Sequence, residues 1–176
     1  MKKYFKLIIP IFVIIIVIPL FFVFFFVTKT LRTPVGIIDG IYYDMTPQSL
    51  KKVLGEPKSI TDNLNRFAET IYNYTVDIDG IPTEMSFAFL HDKKLFSIRA
   101  SVNADDPNDA GRVFESWQSI LYAVYKDETG FYCDEIQKTV NTNYKIKLGT
   151  HQGATGVSCT ISVEESAVRL SCIYMK

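Results

Sequence analysis

The stretch "ETIYNYTVDIDGIPTEMSFAF", Glu69 to Phe89, decides the fold. Asp79-Gly80 has the composition of a two-residue hairpin turn. Folding the chain there sets Tyr74 opposite Met85 and Tyr72 opposite Phe87, all on one face. The next turn, "HDKK" at 91–94, then places Phe89 opposite Phe96, Phe87 opposite Ile98 and Met85 opposite Ala100. Side chains alternate faces along a strand, so a slip of one residue would turn this whole apolar set to solvent. Alternation and turn spacing agree, and they predict a three-stranded antiparallel meander.

Just upstream, "DMTPQSLKKVLGEP" (Asp44–Pro57) predicts a short helix. Thr46 is a good N-cap, Pro47 suits the first helical position, and Gly55 with Pro57 forms a stop. Leu50, Val53 and Leu54 share one face, and a helix this short persists only if that face is packed. Downstream, a second helix is expected from Pro107 to Glu128, capped by Asp106 and stopped by Gly130. Its stripe Val113, Phe114, Trp117, Ile120, Leu121, Val124 and Tyr125 is worth roughly 10–20 kcal/mol gross if buried, which makes it core.

A second meander is expected in the last third. "YKIKL" (144–148) alternates, and the turn "EESA" (164–167) sets Val163 opposite Val168, Ile161 opposite Leu170, Cys159 opposite Cys172 and Val157 opposite Tyr174. The loop "GTHQGATG" would put Ile146 opposite Cys159. The expected fold class is therefore α+β: a helix plus a three-strand antiparallel meander, repeated as pseudo-repeats at about 37–103 and 104–176 within one domain, 37–176.

Ahead of that domain, Leu7–Val27 reads "LIIPIFVIIIVIPLFFVFFFV", 21 residues without a charge. As a helix it would span roughly 31 Å, the thickness of a bilayer's hydrocarbon core. A cleaved signal peptide competes, but its apolar region would run only ~7–15 residues and end in small residues. This run ends "FFFVTKTLR". The sequence thus predicts an N-terminal transmembrane helix acting as a signal anchor at 7–27, a cytoplasmic N-terminus at 1–6 and a linker at 28–36. Lys2, Lys3 and Lys6 precede the run, so the positive-inside rule points the C-terminal domain out of the cytoplasm.

Without those three lysines the chain keeps 16 basic residues against 19 acidic ones. The expected exported domain is mildly acidic, about 145 residues long, and lacks the basic patch that nucleic acid demands. No nucleic-acid partner is expected.

Three cysteines stand at 133, 159 and 172. An exported domain permits disulfides, and an odd count leaves one thiol over. Three readings stay open: buried thiols, a Cys159–Cys172 bridge, or a bridge from Cys133 to one of the other two. Only two histidines exist, His91 and His151, both in expected loops and neither at metal-ligand spacing. "VDIDG" (76–80) begins like a calcium loop but lacks its later ligands, and "ADDPND" (104–109) suits a helix N-terminus. No glycine loop for phosphates occurs. The sequence offers no catalytic constellation, no metal and no cofactor.

With the first helix placed, "GIYYDMTPQSLKKVLGEP" (Gly40–Pro57) resembles the signature of small exported domains shared by β-lactamase-inhibitor proteins and the SmpA/OmlA (BamE) outer-membrane lipoproteins. The matching positions are Met45, Thr46, Leu50, Val53, Leu54, Gly55 and Pro57, and the resemblance extends over about residues 40–102. Asp44 stands where that group usually has glycine, and there is no lipoprotein cysteine. The resemblance implies an exported α+β fold working by protein–protein contact. The expected function is a membrane-anchored, extracytoplasmic interaction or ligand-binding module of the cell envelope, non-catalytic, with an envelope protein as partner and Tyr42 and Tyr43 as a candidate surface. The alternatives are an envelope enzyme assembled from loops (His91, His151, Cys133 or residues 104–109) and a structural or regulatory subunit of a small membrane complex.

Overall fold

The computed structural model describes residues 33–62, 70–105, 107–135, 144–152, 155–164 and 166–175. Pro34–Lys176 forms one unit. Its elements run α1 (Pro47–Leu54), β1 (Ser59–Asp62), β2 (Thr70–Ile78), β3 (Ile81–Phe89), β4 (Leu95–Asn103), α2 (Pro107–Tyr125), β5 (Tyr132–Glu135), β6 (Tyr144–Gln152), β7 (Thr155–Glu164) and β8 (Ala167–Met175). All eight strands belong to one antiparallel sheet of order β1-β2-β3-β4-β8-β7-β6-β5.

The expected fold class is corrected on two counts. Each half of the chain contributes four strands rather than three, and the halves fuse through β4 and β8 into a single sheet. The added strands, β1 and β5, are short sheet edges. As for the transmembrane helix, no helix among the described residues is long and apolar enough to cross a membrane. The expected anchor at 7–27, like residues 1–6 and most of the linker, lies outside the described residues. The single-pass membrane placement is withdrawn with it. Val35 is fully buried, so the packed domain already includes the end of the expected linker.

Local chemistry explains the elements. The Thr46 hydroxyl accepts from the Ser49 amide at 3.3 Å, Pro47 opens α1, and Gly55, at φ 82°, donates its amide to the Lys51 carbonyl. The β2–β3 turn has Asp79 at φ 53° and Gly80 at φ 80°, both in the left-handed region a type I′ turn requires. The Asp77 carboxylate accepts from the Gly80 amide at 2.7 Å, so "VDIDG" spends its acidic side chains on the turn and, through Asp79, on Ser116 of α2. Asp44 adopts φ 66°, a conformation that costs a glycine little.

Register follows the hydrophobic alternation. Tyr74 pairs with Met85, Tyr72 with Phe87, Phe87 with Ile98 and Met85 with Ala100. Phe89 meets Leu95 instead of Phe96, because Lys93 takes φ 60° and Leu90 bonds to Lys94, which tightens the loop and shifts the register between Ala88 and Phe89. In the second half Val163–Val168, Ile161–Leu170, Cys159–Cys172 and Val157–Tyr174 are paired. Ile146 faces Ile161, and Leu148 takes the place opposite Cys159. The strands there continue to Gln152 and Thr155, closing a tighter hairpin than the glycine-containing loop suggested. The shift is two residues, so every side chain keeps its face.

The apolar face carries the core. α2 lies over β4, β6, β7 and β8, with Trp117, Leu121 and Tyr125 buried beneath it. The segment Pro34–Tyr43 packs against the same helix, and the Tyr125 hydroxyl donates to the Pro34 and Val35 carbonyls at 2.9 and 3.1 Å. The expected cap of α2, Asp106, lies outside the described residues. On the other half Leu50 of α1 is buried, Val53 of the same expected face is left exposed, and the Tyr74 hydroxyl donates to the Gly55 carbonyl.

Candidate functional site

Neither helix covers the opposite face of the sheet, where Ile173 is exposed but one row is uniform in composition. One row of directly paired residues crosses all eight strands: Ser59, Asn73, Ser86, Arg99, Ser171, Thr160, Lys147 and Asp134. Every member is polar. Around this row lies an open trough of about 1050 Å³, bordered by Lys58, Glu84, Arg99, Lys145, Glu164 and Arg169 and floored by serines and Thr160.

At the β1 end the polar groups hold one another. The Asn73 amide donates to Ser59 Oγ at 3.1 Å, and the Ser86 hydroxyl donates to Asn73 Oδ1 at 2.8 Å. The Glu84 carboxylate accepts from Thr75 Oγ1 at 2.9 Å and from Lys58 Nζ at 3.1 Å. Those two bonds favour the ionised form, so its pKa lies below the usual carboxylate value, Thr75 contributing most. At the other end Arg169 Nη1 reaches Glu164 Oε2 at 2.8 Å. Arg99 and Lys145 are exposed and have no carboxylate partner among the described residues. The Lys147 ammonium sits over the Tyr132 ring, 5.7 Å from its centre, and neither residue lines the trough.

The sequence singled out other residues. Tyr43 is core: it is 3% exposed, stacks on Tyr174 with ring centres 5.1 Å apart, and lies beside Tyr125. Its hydroxyl has no hydrogen-bond partner among the described residues, and burial, then Tyr125, pushes its pKa well up. Tyr42 is half-buried and pairs with Pro34 in an isolated bridge. Neither borders the trough. Cys159 and Cys172 form a disulfide across β7 and β8, their Cα atoms 4.1 Å apart. Such a separation marks a non-hydrogen-bonded pair, the closer of the two antiparallel pairings. Cys133 is exposed on β5, outside that bridge.

His91 lies in the β3–β4 turn and His151 near the end of β6, both exposed. The β3–β4 turn and β6 are three to four strand intervals apart, roughly 14–19 Å at about 4.8 Å per interval, so the fold does not bring them together. In the acidic run, Asp109 contacts Arg112 within the first turn of α2. Among the described residues no group of three or more His, Cys, Asp or Glu is placed to hold a metal ion.

The trough residues were absent from the sequence candidates, although the signal for them was present. The outward positions of each meander are the complement of its apolar ones. Reading them in register would have lined up Asn73, Ser86 and Arg99 in the first meander and Thr160 with Ser171 in the second.

No protein-family model matches the chain, and no curated protein matches it. Among solved structures, the chain is similar to that of LpqN, a Mycobacterium tuberculosis protein involved in cell envelope biogenesis. Identity is 12%, coverage 74% of this chain and 84% of that one, and the TM-score 0.24. A likeness so distant carries no argument about fold or function, and none of these comparisons confirms the BamE-like resemblance of residues 40–102.

Proposed function

We propose that this chain is a non-catalytic binding module of the cell envelope that contacts a partner protein through the open face of its sheet. The observation that carries this reading is the cationic, hydroxyl-floored trough. Arg99 and Lys145 there have no carboxylate partner among the described residues, beside a row that is polar across all eight strands. Exposed cations fixed on strands of one sheet are preorganised, and ordering a partner against them costs less entropy than gathering charges from loops. The Cys159–Cys172 bridge supports the envelope, since disulfides persist in oxidising compartments. The separation of His91 from His151 supports a role without catalysis.

Site-directed photocrosslinking tests the reading in the cells that make the protein. A photoreactive residue at Ser171, in the trough, should yield discrete protein adducts. The same residue at Tyr122, on the exposed side of α2, should yield none. Adducts from Tyr122 with none from Ser171 would move the contact to the helical side and remove the proposal.

A further inference from the structure

We infer that the open face takes an extended acidic segment of a partner polypeptide, its carboxylates held by Arg99 and Lys145. This deepens the binding-module reading above and rests on it. Four cations border the trough, Lys58, Arg99, Lys145 and Arg169, against two carboxylates, Glu84 and Glu164. Lys58 neutralises Glu84 and Arg169 neutralises Glu164, which leaves a positive excess of two, Arg99 and Lys145. That excess stands out on a chain whose residues from 28 onward carry more acidic than basic groups. The complementary partner is anionic.

Spacing selects its shape. Arg99 on β4 and Lys145 on β6 are three strand intervals apart and two residues out of line, roughly 16 Å in all, with Arg169 on β8 between them. A single phosphate or a small dicarboxylate reaches one cation, not both. An extended polypeptide at about 3.3 Å per residue crosses the interval in about five residues. Such a strand also brings backbone amides and carbonyls, and the hydroxyls of Ser171, Thr160 and Ser162 between the cations can donate to or accept from them. Single-stranded nucleic acid is also extended and anionic, but it is held by aromatic rings on which its bases stack. No aromatic ring lines the trough.

The test is fluorescence anisotropy on the full chain with three probes: a short labelled peptide alternating Glu and Ser, its counterpart alternating Gln and Ser, and an oligothymidylate. The Glu–Ser peptide should bind at least about tenfold more tightly than the Gln–Ser peptide and weaken as salt is added. Arg99→Gln and Lys145→Gln should each cost about two- to fivefold, the worth of an exposed ion pair. Lys126→Gln, on the exposed helical side, should cost nothing. Both trough residues are exposed, so unchanged unfolding midpoints will certify the variants. Equal binding of the two peptides overturns the inference, as does tighter binding of the oligothymidylate, or an equal loss from Lys126→Gln. The crosslinking result separates the two levels. Adducts at Ser171 with no binding of the Glu–Ser peptide overturn the acidic segment and leave the binding module standing; failure of both experiments removes both.

Discussion

Along the row Tyr72, Phe87, Ile98, Cys172, Cys159 and Leu148 every side chain is apolar. One residue away in each strand, the row Asn73, Ser86, Arg99, Ser171, Thr160 and Lys147 is polar throughout. The same backbone ladder carries both, yet Phe87 and Ile98 are completely buried while Arg99 lies open. The first row ends in exposed Ile60 and Cys133 at the two edge strands, where the core runs out. The contrast teaches that one face is specified by packing, where any loss is felt, and the other by charge and hydroxyl chemistry, where the fold has little at stake. Uniform polarity along one row of a face that stability leaves unconstrained is what gives the trough its interest.

Neighbouring substitutions sharpen the contrast most. Phe87→Ala should destabilise the domain by about 3–5 kcal/mol, because a large side chain packed against Tyr74 and the sheet core leaves a cavity. Ser86→Ala, one residue away on the other face, loses a single hydrogen bond to Asn73 and should cost about 1 kcal/mol at most. Denaturant unfolding measures both. Comparable losses at the two positions would break the division of labour.

The disulfide belongs to the packed row, and its removal is expected to be the next largest effect. The bridge closes a loop between residues 13 apart, so Cys159→Ala with Cys172→Ala should cost about 2–4 kcal/mol. An unfolding midpoint indifferent to reductant would show that the two sulfurs act only as small apolar groups.

Alkaline pH probes the same face at its tyrosines. Burial raises the pKa of Tyr43 and of Tyr125 above the ordinary value near 10, so both stay neutral in the folded protein after the unfolded chain has begun to ionise. The folded state then binds more protons, and stability must fall as pH rises above about 10, by up to ~1.4 kcal/mol per pH unit per tyrosine. The doubly substituted Tyr43→Phe, Tyr125→Phe protein should show a shallower alkaline slope, read from unfolding midpoints across that range. An unchanged slope would mean that neither hydroxyl is held neutral by its burial.

The two faces also differ in how legible they were. Apolar alternation is dense in "ETIYNYTVDIDGIPTEMSFAF" and in 157–174, and parity alone fixed which residues meet in the core. Edge strands resist this reading: Ser59–Asp62 is exposed at all four positions, so no pattern of burial marks it. β5 is equally short, and its pairing with β6 depends on a distant partner rather than on its own four residues. Tyr43 failed as a surface residue for a related reason. An isolated tyrosine carries no periodicity, and only the packing of Pro34–Tyr43 against α2 buries it. Arg99 and Lys145 were visible as outward residues, but their isolation from carboxylates depends on the order β4-β8-β7-β6, which no local pattern contains.

The smallest expected effect bears most directly on the open face. Glu84 is largely exposed, and its carboxylate is held by Thr75 and Lys58. Its pKa is lower folded than unfolded, so its contribution to stability is present above the ordinary value near 4.3 and disappears as pH falls through the folded value. Solvent screens the pair, and Glu84→Gln should lower stability at neutral pH by no more than about 0.5 kcal/mol, with the difference closing in acid. The same substitution releases Lys58 and adds one positive charge to the trough, so binding of the Glu–Ser peptide should tighten slightly while stability declines. Opposite signs in one variant would separate the two roles of the sheet. If stability and binding fell together, Glu84 would be supporting the shape of the trough, and the open face would be less independent of the core than its polarity suggests.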